Sequence, residues 1–422
     1  MLDPKFIRDN IEKITLAAKQ KNVDFKPQMF LEIYESRLKV IEKTENLRRQ
    51  RNEGSDLVKK ASNKEEREAL LIKMRAVGEE LTVAETEMRE IEKQFDDIML
   101  TVPSIPSADT PVGASDAENV EWRKEGTLPK FDFTPKDHIE LGTSLNLIDF
   151  QRGTQTAGSR SYFLTGIGAE LERAIHSLTL DLLKQRNFKM MSIPVLVRPA
   201  AMLGTGYLPG GKDQAYYVEK DDLWLIGTSE VSLAHYHSGE ILDANQLPVR
   251  MCAHSSCFRR EAGAHGKDTK GLYRVHQFQK IEQVVICEPN VEISDKIHME
   301  LLQNAEDILA LLELPYRVVK VCTGDLGQGQ VKKHDIETWM PSRNNYGETH
   351  SCSSFYDFQS RRLKIRIRDS EGRPQFAYTL NNTAIATPRA LIPLLENHQT
   401  IDGKVKIPKA LQKYMGGLSI IG

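Results

Sequence analysis

The sequence has little cysteine, no long apolar run and almost no net charge, and each absence excludes a class of protein. Its 422 residues include five cysteines, an odd number without paired C-x-x-C spacing, so neither a disulfide framework nor a zinc cage is indicated. No segment approaches the roughly 18 consecutive apolar residues that span a bilayer, and the first residues have no apolar core of a signal peptide. We therefore expect a cytoplasmic protein with free thiols, no zinc and no membrane partner.

The net charge and the overall composition set further limits. A formal charge of −2 over the whole chain argues against a generally basic nucleic-acid binder, so any contact with RNA needs a local concentration of positive charge. The chain is 40% hydrophobic and 27% charged, which is typical of a soluble globular protein. Because 422 residues are too many for one ordinary core, we expect two domains.

Residues 30–100 show the periodicity of a helical hairpin. In the second half, apolar residues repeat at alternating spacings of three and four, the seam of a coiled coil. These residues are Met74, Val77, Leu81, Ala84, Met88, Ile91, Phe95 and Ile98. The earlier segment has the same rhythm at Leu31, Tyr34, Leu38 and Ile41. A turn at residues 61–63 predicts an antiparallel hairpin, and about thirty residues per helix give an arm of roughly 45 Å.

Charge divides along this hairpin. Residues 46–75, at the tip, hold nine basic and five acidic side chains, whereas residues 31–45 and 76–100, at the root, hold five basic and twelve acidic ones. A positive tip can bind a phosphate backbone away from the rest of the protein. The candidate contacts are Arg48, Arg49, Arg51, Lys59, Lys60 and Lys64. Periodicity alone favours a different interpretation, a dimerising coiled coil whose charges are solvated.

A proline-rich connector at residues 101–113 cannot be helical throughout and predicts a domain boundary. We predict an N-terminal domain of residues 1–105 and a second domain of residues 106–422. Downstream, alternating apolar runs predict strands, and helices are predicted at residues 167–184 and 291–312, without a regular βαβ rhythm or a complete Walker loop. The predicted fold class is therefore α+β, a mostly antiparallel sheet flanked by helices, with an N-terminal antiparallel coiled-coil arm.

The most informative segment places two arginines and two carboxylates around one turn. Phe258 to Gly263 reads FRREAG and is followed by LYRVHQF and Glu282. Alternation over residues 274–282 predicts a strand with polar groups on one face. The connection, rich in glycine and charge, predicts a mobile hairpin loop that closes over a ligand. The simpler alternative is a surface hairpin with solvated charges.

These residues resemble motif 2 of class II aminoacyl-tRNA synthetases in its seryl form. The segment from Gly227 to Glu230, GTSE, is similar to the serine loop of that family, and the segment from Glu348 to Ser353, ETHSCS, is similar to its ATP and magnesium strand. Residues 380–399, which include Arg389, resemble motif 3. The resemblance covers essentially the whole chain in the expected order.

The resemblance implies a role for each matching residue. The catalytic residues would be Arg259 and Arg389. ATP would be bound by Arg259, Arg260, Glu261, Arg274, Glu348, Thr349, His350, Ser351 and Arg389. Serine would be bound by Thr228, Ser229, Glu230, Glu282 and Thr383. Mg²⁺ would be held by Glu348 and Ser351, because magnesium prefers oxygen ligands.

The resemblance also implies the reaction and the partners. Serine would be activated with ATP to seryl-adenylate and transferred to the 3′ end of tRNA(Ser), and tRNA(Sec) stays open as a second substrate. The arm would recognise tRNA mainly by shape, since it offers many Lys and Arg but few aromatic residues for stacking bases. Residues 190–197 would correspond to motif 1 and imply a homodimer, although as bare sequence they read as an ordinary buried strand.

The sequence departs from the family pattern at two places, and two alternative functions are weighed against the synthetase. Asn382-Thr383-Ala384 stands where the common bacterial pattern has Gly-Ser-Gly, and Pro393 falls inside the motif 3 helix, where we expect a kink. One alternative is a synthetase-like ligase that activates a small amino acid for a carrier protein, but such a ligase would lack the long helical arm. A catalytically silent RNA-binding scaffold would have no reason to keep Arg259, Glu261 and Arg389.

Overall fold

The computed structural model describes residues 1–263, 270–369 and 371–422, which form two compact units, Met1–Pro103 and Ser104–Gly422. Most of the predicted hairpin loop, residues 264–269, lies outside the described residues, so the prediction of a mobile loop stays a prediction.

The first unit is helical. Its helices are α1 (Pro4–Asp9), α2 (Ile11–Gln20), α3 (Pro27–Lys60) and α4 (Lys64–Thr101). The turn between the long helices has a defined start for α4, because the Asn63 side chain accepts a hydrogen bond from Glu66 N at 2.8 Å while the Glu66 carboxylate accepts one from Ser62 N at 2.9 Å. This reciprocal capping satisfies backbone donors that a helix start leaves unpaired.

The α3–α4 hairpin has the predicted seam in α4 but a different one in α3. Val77, Leu81 and Ala84 are buried against Leu47. In α3, however, the predicted seam residue Leu38 is 43% exposed. The buried face of α3 passes instead through Phe30, Ile33, Tyr34, Val40, Thr44, Leu47 and Gly54. The predicted seam residue Tyr34 is buried, whereas the prediction was wrong for Leu38, because a short apolar run fits two neighbouring helical faces almost equally well.

The second unit carries the large sheet and further helices. The helices are α5 (His138–Ser144), α6 (Phe150–Ala157), α7 (Ile167–Gln185), α8 (Pro199–Thr205), α9 (Glu230–His235), α10 (Val291–Leu311), α11 (Phe358–Leu363), α12 (Thr387–Asn397) and α13 (Lys409–Gln412). The strands are β1 (Val120–Glu125), β2 (Ile148–Asp149), β3 (Phe163–Leu164), β4 (Lys189–Met191), β5 (Leu196–Val197), β6 (Tyr216–Val218), β7 (Leu223–Leu225), β8 (Ile241–Leu242), β9 (Val249–Phe258), β10 (Gln277–Cys287), β11 (Tyr316–Lys320), β12 (Lys332–Met340), β13 (Asn345–Tyr356), β14 (Arg366–Arg368), β15 (Pro374–Phe376), β16 (Tyr378–Ala386), β17 (Val405–Lys406) and β18 (Ile420–Ile421).

Within the described residues, eight strands form the main sheet in the order β1-β11-β12-β13-β16-β10-β9-β4. Neighbouring strands are antiparallel except for β4, which pairs in parallel with β9. The predicted α+β class with an antiparallel sheet and long N-terminal helices is therefore confirmed.

Both faces of the sheet are buried at its centre. Along β10, Val285 and Cys287 face a core that includes apolar residues of α7, α10 and α12, while Val284 and Ile286 face a second core with residues of α9 and α11. Because side chains alternate between the faces of a strand, a run that is buried on both faces reads as continuously apolar. Packing on both faces therefore holds the central strands in place, and these strands carry the candidate active site described below.

Two local predictions need correction. The strand predicted from residue 274 begins at Gln277. The segment 190–197, predicted as one buried strand, is split into β4 and β5, and Met190 is 51% exposed and Leu196 44% exposed. Helix α12 continues through Pro393, which is buried, and the predicted kink stays a prediction.

Candidate active site

The centre of the main sheet carries a cavity floored by β9, β10, β13 and β16 and bordered by the start of α12. It is lined by Arg259, Glu261, Leu272, Tyr273, Val275, Phe278, Lys280, Glu348, Thr349, His350, Ser351, Thr383, Ala386, Pro388 and Arg389. A neighbouring cavity shares Arg259, Glu261 and Arg389 and extends to Tyr207, Gln214 and Arg274. Of the charged residues predicted from motifs 2 and 3, Arg259, Glu261, Arg274 and Arg389 thus lie around these two cavities.

Arg259 is held at the point where β9 leaves the sheet. The backbone N of Arg259 donates to His276 O at 2.9 Å, and the ring nitrogen Nδ1 of His276 lies 3.0 Å from Arg259 O. The side-chain Nε of Arg259 donates to Gly227 O at 3.3 Å. Its guanidinium lies over the Phe278 ring, 5.3 Å from the centroid. These contacts fix a cation at the cavity wall, where it can meet an anionic ligand.

Glu261 occupies the turn of motif 2 in the left-handed backbone region, with φ of 51°. This conformation is uncommon for a residue other than glycine. The Glu261 carboxylate accepts a hydrogen bond from Arg274 Nη1 at 3.3 Å. The two sides of the turn are therefore tied by an ion pair at the entrance to both cavities.

Arg389 and Glu348 form the opposite wall. Arg389 Nη1 lies 3.2 Å from Glu348 Oε2, Arg389 Nε donates to Tyr273 O at 3.3 Å, and the guanidinium lies 4.6 Å from the centroid of the Tyr273 ring. Burial opposes ionisation of Glu348, but the charges of Arg389, Lys333 and Arg259 prevail and lower its pKa to about 2. Glu348 is thus a carboxylate at neutral pH.

A second carboxylate, Asp335, lies behind Glu348 and was missed in the sequence. It stands opposite Ser351 in the β12–β13 ladder, and Lys333 Nζ lies 2.9 Å from its Oδ2. Burial raises the Asp335 pKa to about 7, which Lys333 opposes and Glu348 reinforces. Among the described residues its Oδ1 has no hydrogen-bond partner. Only its place on the strand beside Glu348 and Ser351 reveals it, because nothing local in the sequence marks it.

Thr349 and His350 line the same wall but are engaged with each other. The Thr349 hydroxyl lies 2.7 Å from the Thr338 hydroxyl and 2.8 Å from the Nδ1 nitrogen of His350. Burial lowers the His350 pKa to about 4, so its imidazole is neutral at physiological pH. These two residues shape the cavity without adding charge to it.

Three of the residues predicted to bind serine meet around a lysine that was not predicted. Lys280 Nζ donates to Thr228 Oγ1 at 2.6 Å and to Thr383 Oγ1 at 3.4 Å, and it forms an ion pair with Glu282. Thr383 Oγ1 donates to Glu282 Oε2 at 3.3 Å. A β-bulge after Ile281 brings Glu282 opposite Thr383, and such bulges commonly re-aim a side chain. The alternation of side chains along β10 could have revealed Lys280 from the sequence, since it puts Lys280 and Glu282 on one face of the strand.

Glu230 and Ser229 point to other neighbours. The Glu230 carboxylate accepts hydrogen bonds from Tyr207 Oη at 2.8 Å and from Gln359 Nε2 at 2.7 Å. Burial and the nearby Glu282 charge raise its pKa, although Gln359, Tyr207 and Lys280 oppose the shift. The Ser229 hydroxyl lies 2.7 Å from the Ser255 hydroxyl, and neither Ser229 nor Glu230 lines the described cavities.

Arg260 is the predicted ATP-binding residue that stands apart. It is exposed, its guanidinium lies over the Tyr216 ring at 5.6 Å from the centroid, and its backbone N donates to Gln214 O. It does not line either cavity. Its predicted contact with ATP therefore has no support from its side-chain position.

The predicted contacts for nucleic acid lie on the α3–α4 hairpin and are exposed. Arg48 pairs with Glu85 of α4 at 2.9 Å, and Lys59 pairs with Asp56 at 3.0 Å. Exposed ion pairs of this kind are weak. A polyanion can therefore compete for these cations.

The described ranges contain neither a cluster of metal-binding side chains nor a membrane-spanning helix. No group of three or more His, Cys, Asp or Glu side chains there is placed to hold a metal ion. No helix in the same ranges is long and apolar enough to cross a membrane.

The antiparallel sheet with a motif 2 turn and a motif 3 helix around one cavity defines the class II aminoacyl-tRNA synthetase core. Residues 216–398 match the family described as "tRNA synthetase class II core domain (G, H, P, S and T)". Residues 1–106 match the family described as "Seryl-tRNA synthetase N-terminal domain".

Whole-chain relatives narrow this class further. The serine–tRNA ligase of Deinococcus radiodurans is 44% identical over 100% of this chain and 99% of its own length, and that of Geotalea uraniireducens is 42% identical over 100% of both chains. The crystal structure of seryl-tRNA synthetase from Pyrococcus horikoshii complexed with ATP has a TM-score of 0.92 and 37% identity, covering 100% of this chain and 99% of that one. The chain belongs to the seryl-tRNA synthetase family, and the resemblance seen in its sequence is confirmed.

Proposed function

We propose that this chain joins L-serine to the 3′ end of tRNA(Ser) in two successive acyl transfers. In the first, a carboxylate oxygen of serine attacks the α-phosphorus of ATP, forming seryl-adenylate and releasing pyrophosphate. In the second, a ribose hydroxyl of the terminal nucleotide attacks the seryl carbonyl carbon and AMP leaves. The observation that carries this proposal is the junction of two groups of residues in one cavity, a polar pocket at Lys280 and an arginine-rich wall at Arg259 and Arg389.

The first step needs positioning and charge neutralisation more than proton transfer. Serine is already a carboxylate at neutral pH, so no general base is required to activate it. Arg259, fixed by its bonds to His276 and Gly227, stabilises charge on the α-phosphate. Arg274 and Arg389 meet the distal phosphates, and Glu261 holds the adenine edge. Fixed cations of this kind can lower the barrier without reorganisation.

Mg²⁺ fits the oxygen donors beside Arg389. Glu348 is ionised, Ser351 adds a hydroxyl, and Asp335 has a buried oxygen without a described partner. Magnesium is usually held by one or two carboxylates together with substrate phosphates. Bound there with ATP, it would neutralise phosphate charge.

Serine binding rests on Thr228, Glu282 and Thr383, whose side chains are joined by hydrogen bonds or an ion pair through Lys280. A pocket that hydrogen-bonds a hydroxyl rejects an analogue without one, because buried polar groups would be left unpaired. We assign Glu230 and Ser229 to support of this pocket, since their oxygens are bonded to Tyr207, Gln359 or Ser255.

The hairpin arm supplies the RNA contact. Arg49 and Arg51 are exposed on α3 near the tip, and a polyanionic backbone would contact them without base-specific hydrogen bonds. Such recognition reads shape, so a tRNA with a long variable arm is the proposed partner, with tRNA(Sec) included by the same criterion.

We further propose a cytoplasmic homodimer. Apolar side chains of the motif 1 segment are exposed in the single chain, Met190 at 51% and Leu196 at 44%, and so is Ile167 at the start of α7, at 36%. Burying such residues against a second copy would remove apolar surface from water.

Charging of tRNA transcripts with labelled serine tests the proposed function. The reaction should require serine, ATP and Mg²⁺, and tRNA(Ser) and tRNA(Sec) transcripts should accept serine. A tRNA(Ser) transcript with its variable arm shortened should accept it poorly. Equal charging of a tRNA with a short variable arm would contradict recognition by the arm, and failure to charge any tRNA would contradict the proposal as a whole.

A further inference from the structure

Lys280 is the ammonium at the centre of the polar pocket, and the motifs assign it no role. It is 5% exposed and lies on β10 two residues before Glu282. A buried lysine is costly unless its charge is paired and its donors are satisfied. The burial of Lys280 is therefore explained by the groups that its ammonium contacts.

The three contacts of Lys280 match the three donors of an ammonium. Thr228 Oγ1 accepts at 2.6 Å, Thr383 Oγ1 accepts at 3.4 Å, and Glu282 supplies the negative charge. Lysine has three N–H donors and no acceptor. Thr228, Thr383 and Glu282 must therefore each accept a hydrogen bond from Lys280.

Because these oxygens accept from Lys280, the direction of their other hydrogen bonds is determined. Thr228 Oγ1 also accepts from the backbone N of Glu230 at 3.3 Å, so both of its lone pairs are used and its O–H must donate elsewhere. Thr383 Oγ1 accepts from Lys280 and donates to Glu282 Oε2 at 3.3 Å, so one acceptor lone pair remains. Thr228 is therefore left with an O–H to donate, while Thr383, which lines the cavity, and Glu282 keep acceptor positions.

A serine hydroxyl needs one acceptor for its proton and a donor for its oxygen. Threonine hydroxyls can rotate and can reverse their roles unless a neighbour fixes them. Lys280 is the neighbour that fixes both, and its charge opposes the repulsion between the buried carboxylates Glu282 and Glu230.

We propose that Lys280 is a positioning residue that sets the selectivity for serine over alanine by fixing the hydrogen-bond directions of Thr228, Glu282 and Thr383. The proposal rests on the proposed serine activation. An alanine methyl group would leave these oriented groups unpaired, whereas a serine hydroxyl satisfies both a donor and an acceptor. Without the ammonium, the hydroxyls can turn toward each other and the penalty for alanine becomes smaller.

The test measures amino-acid-dependent ATP/pyrophosphate exchange with serine and with alanine, for the full chain and for Lys280→Met. Methionine has a similar volume but no donor. We expect kcat/KM for serine to fall by about 10- to 100-fold while that for alanine changes by less than about 3-fold, so that the selectivity ratio falls by at least about 10-fold. Lys280→Gln, which keeps an N–H donor group, should lie between the two.

Lys332→Met is the matched control. Lys332 is also buried on the main sheet, but its ammonium pairs with Asp109 at 2.9 Å and Asp295 at 2.7 Å, outside the cavity. This variant can lose stability but should keep the wild-type selectivity ratio. Thermal unfolding and calorimetric binding of MgATP show whether each variant is folded.

The outcomes separate the two claims. If the wild-type chain shows no exchange with serine, the proposed activation fails and the role of Lys280 fails with it. If the wild type is active but a folded Lys280→Met keeps its selectivity ratio within about 3-fold of the wild-type value, only the role of Lys280 is overturned. If Lys280→Met does not fold, an unchanged ratio in Lys280→Gln overturns it in the same way.

Discussion

Arg389 Nη1 lies 3.2 Å from Glu348 Oε2, so the first turn of α12 is joined to β13 by an ion pair at the cavity wall. Together with the charges of Lys333 and Arg259, the pair lowers the Glu348 pKa to about 2, so Glu348 stays a carboxylate even in acid. Motif 3 therefore contributes a cation that faces the Glu348 carboxylate across the cavity wall.

Arg389→Gln should impair ATP use more than it impairs folding. The variant removes the cation that we propose for the distal phosphates and the ion-pair partner of Glu348, so we expect kcat for adenylate formation to fall by about 10²- to 10³-fold. Single-turnover adenylate formation measures it. The control is Arg317→Gln, which loses ion pairs to Glu121 and Glu337 at the far side of the sheet. An equal loss in both variants would contradict a catalytic role for Arg389.

Arg259 and the arm arginines should separate chemistry from RNA binding. Arg259→Ala should abolish adenylate formation and leave tRNA binding nearly intact, because Arg259 lines the cavity. Arg49→Glu with Arg51→Glu should do the opposite and reduce the salt dependence of tRNA binding, since fewer phosphates are neutralised. Filter binding at several salt concentrations and exchange without tRNA provide the two readouts. Parallel loss of both activities in either variant would refute the division.

Leu81→Ala should weaken the arm selectively. Leu81 is 2% exposed in the hairpin core, and truncation of a buried leucine costs about 2–5 kcal/mol. We expect the helical signal of the arm to melt at lower temperature and tRNA affinity to fall, while serine-dependent exchange is kept. Val83→Ala, at a position 64% exposed on the same helix, should change neither. If Leu81→Ala binds tRNA as the wild type does, an ordered arm is not required for binding.

The free energy of unfolding should fall in mild acid because of a buried histidine pair. His298 Nε2 lies 2.8 Å from His334 Nδ1, and burial, aided by the charges of Lys332 and Lys320, lowers the His334 pKa from 6.5 to about 4. Below pH 6.5 the unfolded chain binds a proton at this position that the folded chain does not. Stability is therefore lost from pH 6.5 downward, and the loss levels off below pH 4.

Denaturant titrations of the wild type and of His334→Gln between pH 7.5 and 4.5 measure this effect. The variant should show a shallower pH dependence, by up to about 1.4 kcal/mol per pH unit, which corresponds to one proton. The total contribution of the group is about 3 kcal/mol. Identical slopes in the two proteins would show that His334 does not titrate in this way.

The sequence predicted the fold class because its signals were local. The turn at residues 61–63 and the heptad spacing in α4 needed no tertiary information. The phase of the α3 seam did need it, and Leu38 was placed on the wrong face. The segment 190–197 was predicted as one buried strand, but an isolated apolar run does not reveal whether its cover belongs to the same chain.

The candidate site was predictable as a set of motifs but not as a set of contacts. Arg259, Glu348 and Arg389 were found because each belongs to a motif, and the structure brings them to one cavity. Lys280 and Asp335 were missed because their roles come from neighbours that are distant in sequence, Thr228 and Thr383 for Lys280 and Ser351 for Asp335. Register between strands determines such contacts.

The central claim is that the cavity activates serine. We would measure ATP/pyrophosphate exchange with serine, threonine, alanine and glycine, with Mg²⁺ and without tRNA. The account predicts rapid exchange with serine and little with the other three, because threonine is too large for the pocket and alanine and glycine lack a hydroxyl. Exchange that is equally rapid with alanine, or that requires a different amino acid, would contradict it.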